Sequence, residues 1–322
     1  MPVPFPMDVT VGQLRTLVAE SLTESDSASL DALILLETAT ARKRDDLLAE
    51  FRSPAAEVMN EAALATLASL TEERRRGVSI AYITGTKEFY GYDFCVGPGV
   101  LVPRPESEHL VEEGLRLLDT HRHAIIHDCC AGTGCVGIAL ARERTALGYT
   151  TDLVLSDIEP AALRWTARNA ERLLGTIDQV RYTVERRNVL EPISRNPPEQ
   201  DDAFRSAKWH DPTDRAALCD LITANPPYLT TTETRRTAAQ GWTEPTSALD
   251  GGADGLRLYE DLAAQAFPRL RPERYVLVEH GWTQGAAVRA LFVDAGFELV
   301  NTVTDLAGRD RLVRARRPAD NS

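Results

Sequence analysis

The sequence predicts an α/β protein: a mostly parallel, doubly wound sheet covered by helices, preceded by a small helical domain. Three observations carry this. From about residue 107, apolar strand-like runs alternate with amphipathic helical runs, the pattern of a parallel sheet with both faces covered. Residues 8 to about 76 show helical spacing with no strand pattern between. The stretch between these two regions is rich in aromatic residues and bounded by glycines, which suggests a β-hairpin. The expected division is residues 1–78 for the helical domain, 79–106 for the hairpin connector and 107–322 for the sheet domain.

In the first region Leu14, Leu17, Val18 and Leu22 fall at helical spacing, as do Leu30, Leu33, Ile34 and Leu36, then Ala62, Leu64, Leu67 and Leu70. The hairpin is expected over Glu88–Val96, reached through Ile80-Ala81-Tyr82-Ile83. Gly97-Pro98-Gly99 then turns into Val100-Leu101-Val102-Pro103-Arg104-Pro105-Glu106. A helix follows from Ser107 to Leu118, with Ser107 as a candidate cap.

Strands are expected at Ala124–Asp128, Leu153–Asp157, Val180–Val184 and Leu221–Ala224, with helices at Val136–Arg144 and Pro160–Leu174. A helix over Gly255–Leu270, a strand at Tyr275–Glu279 and a helix near Ala286–Ala295 continue the rhythm. Phe297–Val303 and Arg311–Ala315 suit a closing antiparallel pair. Between Glu191 and Arg215, four prolines and many charges interrupt the pattern, so a long surface loop is expected there.

Composition narrows the function classes. The 322 residues are 43% hydrophobic and 26% charged, ordinary for a globular protein. No apolar run approaches the roughly 20 residues that span a bilayer, so no membrane partner is expected. The N-terminus lacks a basic region followed by an apolar core, and the five cysteines form no zinc-type pairing. These features predict a cytoplasmic protein without a metal centre. A net charge of −12 weighs against a nucleic-acid partner, which normally meets a basic face. Composition says nothing of oligomeric state.

Two local patterns carry chemistry. Asn225-Pro226-Pro227-Tyr228 follows the apolar run Leu221–Ala224. Two prolines end a strand because neither donates to a ladder, and Pro226 holds Asn225 extended. The result is an amide, free carbonyls and an aromatic ring on a stiff turn, which suits a planar group bearing N–H donors. The second pattern is Asp128-Cys129-Cys130-Ala131-Gly132-Thr133-Gly134, where a strand passes into a helix. Gly132 and Gly134 permit close approach of a ligand to the backbone, and strand carboxyl ends are the default ligand crevice of such sheets. Asp128 at the strand end argues against a pyrophosphate there and favours a cationic or donor-bearing ligand. S-adenosylmethionine fits, having an α-ammonium and a sulfonium. Asp157, ending the next strand, can accept both hydroxyls of a ribose. Ile158 can pack on the adenine face, and Asn188 and Val189 stand where the adenine edge would be. Each residue taken singly also reads as a cap or turn residue. Their recurrence at successive strand ends is what points to a ligand.

Over roughly residues 10–316 the chain resembles the HemK-type peptide chain release factor N5-glutamine methyltransferases, the PrmC/HemK family. The resemblance rests on Tyr82–Gly85, Glu88–Gly91, Val102–Glu108, Asp128–Gly134, Asp157 and Asn225–Tyr228. It extends through Glu244-Pro245, Ala248–Leu256, Glu279, Gly281, Gln284 and Asp305–Arg309. The resemblance implies a Rossmann-like class I methyltransferase sheet with a helical N-terminal domain for the protein substrate. It implies S-adenosylmethionine as cofactor, with Asp128, Cys130, Ala131, Gly132, Thr133, Gly134, Asp157, Ile158, Asn188, Val189 and Asn225 around it. It further implies methylation of a glutamine side-chain amide in the Gly-Gly-Gln loop of a release factor. On that reading Asn225 and the Pro226 carbonyl accept the amide N–H groups, Leu101 and Tyr228 form apolar walls, and Arg104 and Pro227 complete the acceptor site. His127 and His280 are expected to be structural.

Three departures stand out: Cys130 replaces a usual glycine, Asn188 replaces a common acidic residue, and the 191–215 segment is long. They leave open a same-fold methyltransferase acting on another amide or on a small amine. A cofactor-binding scaffold without catalysis is a third reading, opposed by the intact Asn225–Tyr228 turn.

Overall fold

The computed structural model describes residues 5–190, 218–305 and 307–320, so the expected 191–215 loop lies outside the described residues. Contacts group the chain into two compact units, Met1–Gly85 with Thr237–Thr243, and Thr86–Arg236 with Glu244–Ser322.

In the first unit the helical pattern resolves into α1 (Val11–Ser21), α2 (Ala28–Thr40), α3 (Arg44–Ala49), α4 (Ala55–Val58), α5 (Glu61–Arg75) and α6 (Ile80–Thr84). Helix α1 starts in a reciprocal capping box: Gln13 N–H donates to Thr10 Oγ1, and Thr10 N–H donates to Gln13 Oε1. Asn60 accepts the Ala63 N–H at the head of α5. The apolar faces meet in one core containing Val11, Leu14, Val18, Leu35, Leu36, Leu47 and Leu67. Ile80–Thr84, read from sequence as the approach to a hairpin, is itself a short helix capped by Ser79.

The second unit opens with the hairpin β1 (Thr86–Phe89) and β2 (Tyr92–Cys95), paired antiparallel. Phe89 and Phe94 sink into the same core as helices α7 (Glu108–Leu117), α8 (Cys135–Ala146) and α9 (Pro160–Leu174). The remaining strands are β3 (His123–Cys129), β4 (Thr150–Asp157), β5 (Val180–Arg186), β6 (Cys219–Ala224), β7 (Leu270–Glu279), β8 (Glu298–Thr304) and β9 (Asp310–Arg316). They form a seven-stranded sheet in the order β5-β4-β3-β6-β7-β9-β8. All neighbours run parallel except β9, which is antiparallel to both β7 and β8. Among the described residues, helices α10 (Thr231–Ala239), α11 (Arg257–Ala266) and α12 (Gly285–Asp294) complete the α-helices.

The sheet explains the near-continuous apolar runs of the sequence. Strand β6 is buried along its whole length, with Leu221 in the core beneath α7 to α9 and Ile222 in the core with α11 and α12. Successive residues therefore feed opposite layers, as the two-residue strand period requires. The chain runs outward from β3 through β4 to β5, then returns to place β6 on the other side of β3. That reversal leaves a crevice beyond the carboxyl ends of β3 and β6. Among the described residues no helix is long and apolar enough to cross a membrane.

Candidate active site

A cavity of about 580 Å³ opens at this crevice, within the range of small-molecule sites. The end of β3 and the turn after it supply Asp128, Cys130, Ala131, Gly132 and Thr133; the end of β4 supplies Asp157, with Ile158 next to it; the segment after β5 supplies Asn188 and Val189. The turn after β6 supplies Asn225 and Pro227, and the connector supplies Leu101, Arg104 and Ser107. Two sequence motifs more than ninety residues apart therefore share one cavity. Gly134, Pro226 and Tyr228 do not line it. Gly134 caps the head of α8, Pro226 is buried, and Tyr228 packs at the edge of the core with α11 and α12.

The glycine turn is held by a mesh of backbone and side-chain bonds. Ala131 N–H donates to the Ser156 carbonyl, and Gly134 N–H to the Ala131 carbonyl. Thr166 and Asn169 of α9 donate to the Gly132 and Thr133 carbonyls. Asp157 Oδ2 accepts the Gly132 N–H at 2.9 Å, while Oδ1 accepts the Glu159 N–H at 3.0 Å. Burial raises the Asp157 carboxyl, partly offset by these two donors. Cys130 takes φ +55°, the left-handed conformation that favours glycine. The missing glycine is thus accommodated without moving the turn out of that region.

Asp128 is more enclosed than its sequence position suggests. Its oxygens accept Thr223 Oγ1–H at 2.8 Å and Gly137 N–H at 3.0 Å. Burial pushes its carboxyl up to about 7, against the pull of those two bonds. Gly132 to Gly137 also carries Gly-x-Gly-x-x-Gly spacing, so spacing alone does not exclude a dinucleotide. The Gly137 N–H, however, is spent on Asp128.

The turn after β6 is braced from behind. Gln284 donates to the Tyr228 carbonyl at 3.0 Å and accepts the Gly281 N–H at 2.9 Å. A Cβ at Gly255 would stand 2.3 Å from the Tyr228 carbonyl oxygen, and one at Gly251 would stand 2.6 Å from that of Pro227. The glycines of the Asp250–Gly255 segment therefore let backbone pack on backbone here. Arg104 pairs with Glu244, which also accepts the Val102 N–H at 3.3 Å. This fixes the connector that carries Leu101 along the cavity.

Ser107 corrects the sequence reading. It makes no side-chain cap to α7. Its hydroxyl donates to Glu279 Oε2 at 2.6 Å and accepts Asn225 Nδ2–H at 3.0 Å. Its sequence signal, a serine two residues after a proline at a helix start, is the same for a cap and for a buried contact. His127 is buried against Ser156, and His280 contacts the Gly281 carbonyl. Burial lowers both imidazoles, and neither lines the cavity.

The family model described as the PrmC N-terminal domain matches residues 13–85. The release factor glutamine methyltransferase of Xylella fastidiosa strain Temecula1 is 35% identical over 257 residues, covering 80% of this chain and 83% of that one. The release factor glutamine methyltransferase of Salmonella typhimurium is 33% identical over 295 residues, 92% of this chain and 94% of that one. Among solved structures, the release factor-specific protein-(glutamine-N5) methyltransferase of Alicyclobacillus acidocaldarius is 23% identical, with a TM-score of 0.36 over 70% of this chain and 99% of that one. On sequence identity sustained over most of both chains, this protein belongs to the release factor glutamine methyltransferase family.

Proposed function

We propose that this protein transfers a methyl group from S-adenosylmethionine to the side-chain amide nitrogen of a glutamine in a peptide chain release factor, in its Gly-Gly-Gln loop. The observation that carries the reading is that the Asn225 turn, the Gly132 turn and Asp157 line one cavity.

The donor set suits that cofactor. Asp157 offers a half-buried carboxylate whose two oxygens each keep a lone pair for a ribose hydroxyl. Ile158, half exposed at 49%, and Val189 give apolar surface for the adenine, with Asn188 at its edge. Gly132 leaves open backbone, since a Cβ there would meet only Val100 at 3.8 Å. Asp128, only 2% exposed where Asp157 is half-buried, acts by holding the turn and the head of α8. When bound, S-adenosylmethionine supplies an electrophilic methyl group on a sulfonium.

The chain's own task is alignment. An amide nitrogen is a poor nucleophile because its lone pair is delocalised into the carbonyl. Asn225 Oδ1 accepts no hydrogen bond among the described residues, so it is free to take one N–H of the glutamine. Leu101 and Pro227, which line the cavity beside it, wall the aliphatic stem. Holding the reacting atoms in line supplies on the order of 7–11 kcal/mol. The amide nitrogen becomes acidic on methylation and releases its proton to water, so no side chain acts as general base. Tyr228 contributes through its anchored backbone rather than as a wall. The helical unit, matched by the family model over residues 13–85, serves as the docking domain for the protein substrate. A release factor substrate implies the cytoplasm as the place of action.

The test is Asn225→Ala. Removing one positioning hydrogen bond in a preorganised site costs about 10²–10³ in kcat, while the affinity for S-adenosylmethionine by calorimetry changes little. A variant that turns over at the wild-type rate would show that the motif is only a structural turn.

A further inference from the structure

A short chain of hydrogen bonds runs from the cavity into the core behind it. Asn225 Nδ2 donates to Ser107 Oγ at 3.0 Å, and Ser107 Oγ donates to Glu279 Oε2 at 2.6 Å. The three residues come from separate segments: the turn before α7, the end of β6 and the end of β7. Strands β6 and β7 pair in parallel with Ala224 opposite Val278, which brings Asn225 and Glu279 to the same level of the sheet. Ser107 and Glu279 are each only 2% exposed. Among the described residues no cation forms an ion pair with Glu279, and burying a carboxylate without one is costly. Stability alone gives little reason for an acid here.

The donor arithmetic gives a reason. A carboxylate only accepts, so the Ser107 proton is committed to Glu279. Ser107 Oγ is then left as an acceptor, and the branch of the Asn225 amide facing it must be the NH₂. Oδ1 becomes the branch left for substrate. We propose that Glu279, acting through Ser107, is a positioning residue that sets which end of the Asn225 amide meets the methyl acceptor. The site then receives an N–H group and repels the oxygen of a glutamate or an ester. This rests on the glutamine reading given above.

A consequence follows for pH. Burial pushes the Glu279 carboxyl up to about 7; the Ser107 hydrogen bond lowers it, Glu106 raises it, and Arg311 and His109 lower it. The phenol of Tyr259 donates to the Glu279 backbone carbonyl, and the phenol of Tyr228 and the thiol of Cys135 also face this carboxyl. On taking a proton from solvent, Glu279 becomes a donor to Ser107 Oγ. The Ser107 hydroxyl is then released toward Asn225, where it favours Oδ1 and turns the NH₂ to the cavity. Transfer to an amide N–H therefore falls as pH drops through the Glu279 midpoint. Asp128 titrates in the same range, so the wild-type profile alone does not identify the group.

The experiment follows the Asn225 side-chain amide itself, by NMR of the full-length protein labelled with ¹⁵N-asparagine. Its resonances are assigned by their loss in Asn225→Asp and followed across about pH 5.5 to 8.5. Kinetics with a release factor and calorimetry with S-adenosylmethionine run in parallel. The expected result is a titration of the Asn225 amide with a midpoint near 7 in the wild type, abolished in Glu279→Gln. The acidic limb of kcat disappears in the same variant, and kcat at high pH drops roughly tenfold, the worth of one hydrogen bond, with cofactor affinity unchanged. Ser107→Ala gives the same loss should Glu279→Gln fold poorly, and Ser107→Thr restores both the titration and the limb. An Asn225 amide that does not titrate, or that still titrates in Glu279→Gln, overturns the proposal. A titration that behaves as expected in a protein unable to methylate release factor glutamine upholds the relay and overturns the acceptor.

Discussion

Cysteine at position 130 tests whether the cofactor turn is built as described. Its φ of +55° costs an L side chain about 1–2 kcal/mol, a cost glycine does not have. Glycine in turn loses more freedom on folding, by roughly 0.5–1 kcal/mol relative to alanine. Cys130→Gly and Cys130→Ala both remove the half-buried thiol, so comparing them cancels that term and leaves the backbone. The glycine variant should be the more stable of the two by about 0.5–1 kcal/mol. At an ordinary negative φ the order reverses by a similar amount. The assay is urea denaturation of the two variants side by side, reading the midpoint of the sheet unit at a matched slope. An alanine variant as stable as the glycine one, or more so, would refute the left-handed turn.

Asp157→Ala should weaken S-adenosylmethionine binding by roughly ten- to a hundredfold, since hydrogen bonds to a charged group are worth about 1.5–3 kcal/mol; calorimetry showing unchanged affinity would remove Asp157 from the ribose site. Asp128, held near 7 in the folded protein against an ordinary 3.8, favours folding fully below about pH 4 and loses that contribution as pH rises through about 7. Asp128→Asn should therefore narrow its stability deficit relative to wild type, or reverse it, between about pH 5 and 8, by a few kcal/mol at about 1.4 per pKa unit. A deficit constant across that range by thermal denaturation would contradict the raised carboxyl.

The parts of the fold that sequence reading reached are those where one strand or helix period repeats over several turns. Strand β6 shows this: its buried run Leu221–Ala224 and the two prolines after it fix both its identity and its end. Helix α10 escaped because its segment is strongly polar, with Thr234 its buried residue, so no apolar face announces it. The first half of β7 escaped because Pro272 and three arginines around it interrupt the apolar run, while the pairing with β6 shifts register there. In the site, residues at strand ends were legible because position along the strand already places them at the crevice. Asp128, Asp157 and Asn225 are of this kind. Ser107 was not, because its partner Glu279 lies 172 residues away. Only the pairing of β6 with β7 brings that partner alongside Asn225. Tyr228 shows the converse: adjacency to Asn225 suggested a wall, but the turn aims its ring toward the α11–α12 core.

Mapping the transferred methyl group identifies the acceptor. The protein is incubated with methyl-labelled S-adenosylmethionine and an intact release factor, and the labelled peptide is sequenced by mass spectrometry. Label is expected on the side-chain amide nitrogen of the glutamine in the Gly-Gly-Gln loop, and none when that glutamine is replaced by glutamate. Label on any other residue, or transfer confined to a small amine while the release factor stays unmodified, would contradict it.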